Sequence, residues 1–102
     1  MNKEAEVLLS LGLPVWVSCY RHNLGSSVAT TNLRATEVIR KNNRWVSTKG
    51  KRITVSIGDT DIQPTREAAI AHYNQSIDNC LARMYKTVDE LAPSLMKKKY
   101  KV

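Results

Sequence analysis

Thr36-Glu37-Val38-Ile39-Arg40-Lys41-Asn42-Asn43-Arg44-Trp45-Val46-Ser47-Thr48, continued by Lys49-Gly50-Lys51 and Arg52-Ile53-Thr54-Val55-Ser56-Ile57-Gly58, reads as three extended segments joined by two tight turns. Asn tolerates the positive φ that a two-residue hairpin turn demands, so Asn42-Asn43 is a natural reversal. The last segment alternates strictly, with Ile53, Val55 and Ile57 on one side and Arg52, Thr54 and Ser56 on the other. An antiparallel meander with one dry and one wet face is the expectation. Placing Trp45 and Ile39 on the dry face gathers Arg40, Arg44, Thr48, Arg52 and Thr54 on the wet one.

Upstream, Pro14 precedes Val15-Trp16-Val17-Ser18-Cys19-Tyr20, a β-branched and aromatic run expected as a strand buried on both faces. Residues 27–33 are expected to pair with it as a hairpin across turn-forming residues 22–27. Before it, Ala5, Val7, Leu8 and Leu11 fall near one face of a short helix that Gly12 stops. Downstream, residues 59–63 form a loop and Thr65, after Pro64, is the expected cap of a helix. Ile70, Tyr73, Ile77, Cys80, Leu81 and Met84 recur in steps of three and four. That spacing predicts a long amphipathic helix lying on the dry face of the sheet, with Asn74, Gln75, Asp78, Asn79 and Lys86 outward. Thr87-Val88-Asp89-Glu90 has the form of a capping box, predicting a second short helix that gives way at Pro93. Residues 97–102 read as a frayed basic tail. The fold class is therefore α+β: an antiparallel sheet of three to five strands packed on one long C-terminal helix, in a single domain over residues 1–96.

A chain of 102 residues suits one small domain, and 42% hydrophobic content is enough for a packed core and argues against disorder throughout. The longest uncharged run, residues 7–20, carries Gly12 and Pro14 and is too short to span a bilayer. The six residues before it are net acidic where a secretory signal would be basic, so a cytoplasmic chain without membrane contact is expected.

The net charge of +7 is unevenly placed. Residues 21–52 carry Arg21, Arg34, Arg40, Lys41, Arg44, Lys49, Lys51 and Arg52 against Glu37 alone. A second basic block, Lys97, Lys98, Lys99 and Lys101, follows an intervening segment that is net acidic. A field concentrated in this way attracts phosphate backbones.

Catalytic and metal readings find less support. His72 and Cys80 lie eight positions apart on one predicted helix. Their Cα atoms are therefore about 12 Å apart, too far to share a zinc ion. Cys19 and Cys80 are read as reduced thiols, as a cytosolic setting implies, with a Cys19–Cys80 disulfide as the alternative. Cys19 and His72 would make a nucleophile and base, but no third orienting group can be placed beside them. Asp59 and Asp61 are read as turn and helix-start support. Gly25, Gly50 and Gly58 are isolated, so no phosphate-cradling glycine loop is present. No catalytic residue and no cofactor is expected.

A two-stranded ribbon fits the major groove of duplex DNA, where arginine can bond guanine bidentately. Arg40, Arg44 and Arg52, with Thr48 and Thr54 between them, are the candidate base-facing residues, Lys49 and Lys51 the candidate phosphate contacts, and Lys41 a further candidate nucleic-acid-binding residue. Lys41-Asn42-Asn43-Arg44-Trp45, Gly50-Lys51-Arg52-Ile53 and Pro64-Thr65-Arg66-Glu67-Ala68-Ala69-Ile70-Ala71-His72-Tyr73-Asn74 together resemble the AP2 DNA-binding domain over residues 36–77. That module occurs in plant transcription factors and, in related form, in phage homing endonucleases and integrases. The resemblance implies that Trp45, Ile53, Ile70 and Tyr73 are core while Arg40, Arg44 and Arg52 face the groove. Val55-Ser56-Ile57-Gly58 stands where the family has Leu-Gly-x-Phe, and Thr54 stands at the family's aromatic base contact.

The function expected is a small non-catalytic protein that binds double-stranded DNA through a basic sheet face, of phage or mobile-element type. The alternative is a modulator that binds an acidic host protein, which exposure of Val15, Trp16 or Tyr20 would favour. A helix as long as the one predicted from Thr65 would also serve to seat a homodimer.

Overall fold

The computed structural model describes residues 1–22, 30–83 and 96–101. The expected turn at 23–27, Met84, Lys86 and the short helix predicted from Thr87 lie outside them. Two helices, α1 (Lys3–Ser10) and α2 (Arg66–Arg83), enclose a sheet of β1 (Val15–His22), β2 (Thr30–Lys41), β3 (Arg44–Ser47) and β4 (Ile62–Gln63). Strand order is β3-β2-β1-β4 with every neighbouring pair antiparallel, which bears out the α+β expectation.

β1 is one of the two inner strands, and its side chains suit burial on both sides. Val15 and Val17 join Val38, Ile62 and Ala5 in one cluster, with Leu8 and Leu9 of α1 packed over them. Tyr20 faces the other way and joins Tyr73, Ile77 and Cys80 of α2. Small residues let helix and sheet approach closely here: Ser18 Oγ donates to the Ala69 carbonyl at 2.6 Å, and both residues are fully buried. Tyr20 and Tyr73 meet edge to face, with ring centroids 6.3 Å apart.

β2 is one long strand where the sequence suggested two separate segments. Val17 pairs with Thr36 and Cys19 with Leu33, so Ser18 stands against both Arg34 and Ala35. This β-bulge lets one strand carry two local pairings. Asn42 and Asn43 adopt φ of 52° and 62°, the positive values expected of this turn, and Lys41 and Arg44 close it.

The segment 52–58 does not form the expected third meander strand. It makes one bridge, Arg52 to Val46, and then leaves the sheet. The topology explains why: β3 and β4 occupy opposite edges, so the intervening chain must cross three strand spacings, about 14 Å. It crosses over the α1 side, where Ile53 and Ile57 pack on the Val15–Val17–Val38 cluster. The alternation is kept as burial, since Ile53, Val55 and Ile57 are half-buried while Arg52, Thr54 and Ser56 are exposed. The long helix accordingly packs on the face opposite the one bearing Ile53, Ile57 and Trp45, which corrects the predicted partnership.

Helix ends follow local chemistry. Asn2 Oδ1 accepts from Glu4 N and Ala5 N to start α1, and Gly12, at φ +70°, follows its end. The inward stripe of α1 is Ala5, Leu8 and Leu9, so Val7 and Leu11 are 56% and 65% exposed instead of packed. Thr65 Oγ1 accepts from Ala68 N at 3.1 Å, as expected of the α2 cap. Asn74, predicted outward, is buried because its side-chain amide pairs with the backbone of Tyr100 through both groups. Tyr100 Oη accepts from the bulged Ala35 N at 3.0 Å, and its ring lies edge-on to Tyr73 beneath the Arg34 guanidinium. Lys99 pairs with Asp78. The described part of the basic tail is thus docked on α2 and β2, not frayed.

Candidate nucleic-acid interface

The turn after β3 is tied down by its own backbone. Ser47 N donates to the Lys51 carbonyl, Gly50 N to the Ser47 carbonyl and Lys51 N to Ser47 Oγ, at 2.8, 2.9 and 2.9 Å. Gly50 takes φ +87°, a conformation that side chains other than glycine adopt with strain. Thr48, Lys49 and Lys51 are consequently held on a fixed loop and exposed. Thr48 also bonds back to Glu37, donating N–H to its carbonyl and Oγ1–H to its carboxylate.

Thr48, Lys49, Lys51, Arg52 and Thr54 line one groove of ≈ 600 Å³, and among the described residues Glu37 is the one acid lining it. Arg66, at the first turn of α2, adds a fourth cation, and Trp16 of β1 adds an aromatic surface. Arg66 and Trp16 were absent from the sequence-predicted set. Arg66 is signalled only by its place directly after the Thr65 cap, and Trp16 reads from sequence as another core position of β1.

Arg40, Lys41 and Arg44 sit elsewhere, at the β2–β3 hairpin end, and all three are exposed. Arg40 leaves the wet face predicted for it with Arg44, Thr48, Arg52 and Thr54, whereas Arg44 shares a face with Val46 and hence with Arg52, which bridges Val46. A two-residue turn closed by Lys41 and Arg44 forces Arg40 opposite Trp45 and Ile39 opposite Val46. Paired residues share a face, so Trp45 lies with Arg40, whose guanidinium is 4.7 Å from the indole centroid, and not with Ile39. Lys41 and Arg44 share the opposite face, like charges held directly across from one another. Among the described residues, neither these three cations nor Lys49, Lys51 and Arg52 form an ion pair with a carboxylate.

No protein-family model matches the chain, and no curated protein or solved structure matches it either.

A second cluster joins β1 to α2. Asp61, with a side chain only 3% exposed, accepts from Gly58 N and His72 Nε2, each at 2.9 Å, and from the Arg21 guanidinium. Burial alone would raise its pKa, but the Gly58 N–H, His72 and Arg21 outweigh it and hold the carboxyl below its ordinary value of 3.8. An ionised carboxylate only accepts, so His72 Nε2 carries the proton in this bond. Asp61 is the orienting partner that sequence reading did not place beside His72. Cys19 lines the same small pocket, of ≈ 250 Å³. Burial, reinforced by the Asp61 charge, pushes its thiol pKa up against the smaller opposing effect of Arg21, the reverse of the lowered pKa that activates a cysteine. Cys80 is likewise buried and free.

Proposed function

We propose that the protein is a small non-catalytic DNA-binding protein that grips duplex phosphates at two places, the 48–54 groove and the β2–β3 hairpin end. The observation that carries the reading is the arrangement of Lys49, Lys51, Arg52 and Arg66 around one groove, with further cations at the hairpin and, among the described residues, one acid, Glu37, on the groove wall. Six of these seven basic residues come from residues 21–52, whose excess charge equals that of the whole chain. Holding Lys41 and Arg44 opposite each other costs repulsion that a bound phosphate would relieve. The AP2 resemblance is compatible with this reading at Arg44 and Arg52, but Arg40 lies with Trp45 instead of with them, and the meander it implies is not formed. Among the described residues no helix is long and apolar enough to cross a membrane. A cytoplasmic setting, in a phage-infected host or otherwise, suits the two free thiols.

The competing partner, an acidic protein, turns on the 7–20 apolar segment, and is favoured by exposure of Val15, Trp16 or Tyr20. Val15 and Tyr20 are buried and Trp16 is half-buried, so residues 15–20 are chiefly core, while Val7, Leu11 and Leu13 of the same apolar segment are exposed. The test is site selection on random duplex, repeated with Arg40→Ala and Arg44→Ala. A base contact loses about 1–3 kcal/mol and relaxes preference at one position. A uniform loss across sequences makes these arginines phosphate contacts. Absence of duplex binding at low salt contradicts the proposal and passes the basic surface to an acidic protein.

A further inference from the structure

Trp16 is the exception on β1. Its neighbours Val15, Val17, Ser18, Cys19 and Tyr20 are each no more than 4% exposed, whereas Trp16 stays half-buried and belongs to neither core cluster. A large aromatic side chain on an inner strand of a sheet ordinarily serves the core, where it would exclude the most water. Here it lines the basic groove instead. The groove also carries apolar surface from Leu33, Ile53 and Val55. Its volume lies within the range of about 300–1,000 Å³ typical of sites for small organic ligands. An aromatic plane beside clustered cations matches a molecule with a flat base at one end and a phosphate at the other.

We propose that this groove holds one unstacked nucleotide, its base stacked on Trp16 and its phosphate among Lys51, Arg52 and Arg66. The proposal rests on the reading of the groove as a nucleic-acid surface and adds that the ligand there is a single nucleotide out of the base stack. Two sources offer that chemistry, a free nucleotide or a nucleotide within a single strand. Each base presents a π-face, so stacking alone gives little sequence preference. The phosphate contribution weakens as salt rises.

Tryptophan fluorescence of the full chain tests this with thymidine monophosphate, a short oligothymidylate and a blunt duplex, alongside anisotropy of the labelled oligothymidylate and of the labelled duplex. The expected result is saturable quenching by the oligothymidylate that survives Trp45→Phe and disappears in Trp16→Leu, with affinity about tenfold weaker or more in the latter. Quenching by the monophosphate as well identifies a free nucleotide as sufficient, and quenching by the oligomer alone identifies the strand. Arg66→Gln, an exposed position at the start of α2, is expected to weaken binding without unfolding the protein. It decides the matter if circular dichroism shows that Trp16→Leu is unfolded. No quenching by either single-stranded probe, quenching that persists in folded Trp16→Leu, or unchanged affinity in Arg66→Gln overturns the proposal. Duplex binding without quenching overturns this inference alone. Quenching without duplex binding overturns the duplex reading and leaves this one standing.

Discussion

Asp61 shows what a single side chain does in this molecule. One carboxylate satisfies the Gly58 N–H, fixes His72 and pairs with Arg21, so it ties the approach to β4, helix α2 and strand β1 together. Its pKa is lowered in the folded state, so its contribution to stability is complete above the unfolded value near 3.8 and is lost as pH falls through the lower folded value. Asp61→Asn is expected to cost about 2 kcal/mol at pH 7, the scale of hydrogen bonds to a charged group, discounted for the half-exposed arginine. Urea unfolding at pH 7 and again near pH 2.5 checks this: the gap between wild type and variant is expected to shrink at the lower pH. A gap that stays constant would mean that the ionised form is not what Asp61 contributes.

Among the elements, the β2–β3 hairpin was the most legible, because a two-residue turn at positive φ leaves few residue types to choose from. Asn43→Ala, which places a Cβ-bearing residue with no local polar compensation at φ 62°, is expected to cost about 1 kcal/mol. Thermal unfolding reads that loss, and Asn43→Gly is expected to restore it. The α2 cap at Thr65, the buried stripe of Tyr73, Ile77 and Cys80, and the two-sided burial of β1 were equally readable, since each follows from local pattern. The alternation of 52–58 was read correctly as burial and wrongly as pairing. Alternation reports which side chains face the core, but the strand's partner depends on where the chain must go next, here the far edge of the sheet. The shared face assigned to Arg40 and Arg44 failed on register: closing the turn at Lys41 and Arg44 puts those two together and Arg40 with Trp45. The tail was opaque for another reason, since Asn74 and Tyr100 find each other across 26 positions through complementary hydrogen bonds that no periodicity announces. Tyr100→Ala removes the bond to Ala35 N, the edge contact with Tyr73 and the stacked Arg34, and is expected to cost about 2 kcal/mol. Faster proteolytic trimming of residues 97–102 would accompany that loss if the docked tail is as the geometry describes.

On the scale of the whole molecule, charge and shape act together. The described structure is 45 Å in its longest dimension, comparable to about thirteen base pairs of duplex at about 3.4 Å each. Its cations are divided between the hairpin end and the groove, and the docked tail brings Lys97, Lys98 and Lys99 onto the body of the protein instead of leaving them on a free chain. Arg66 links the groove to the docked tail, lining the former while its guanidinium lies 6.0 Å from the Tyr100 ring centroid. Phosphate binding by such a surface has a direct signature, because each neutralised phosphate releases counterions. The central claim is therefore tested by the affinity for a duplex of about 16 base pairs as a function of salt, compared between wild type and Lys49→Ala/Lys51→Ala. Binding that weakens steeply with salt, with a log–log slope about two units shallower in the double variant, is the predicted result. Undetectable binding at low salt, or a slope that the double variant leaves unchanged, would contradict the account.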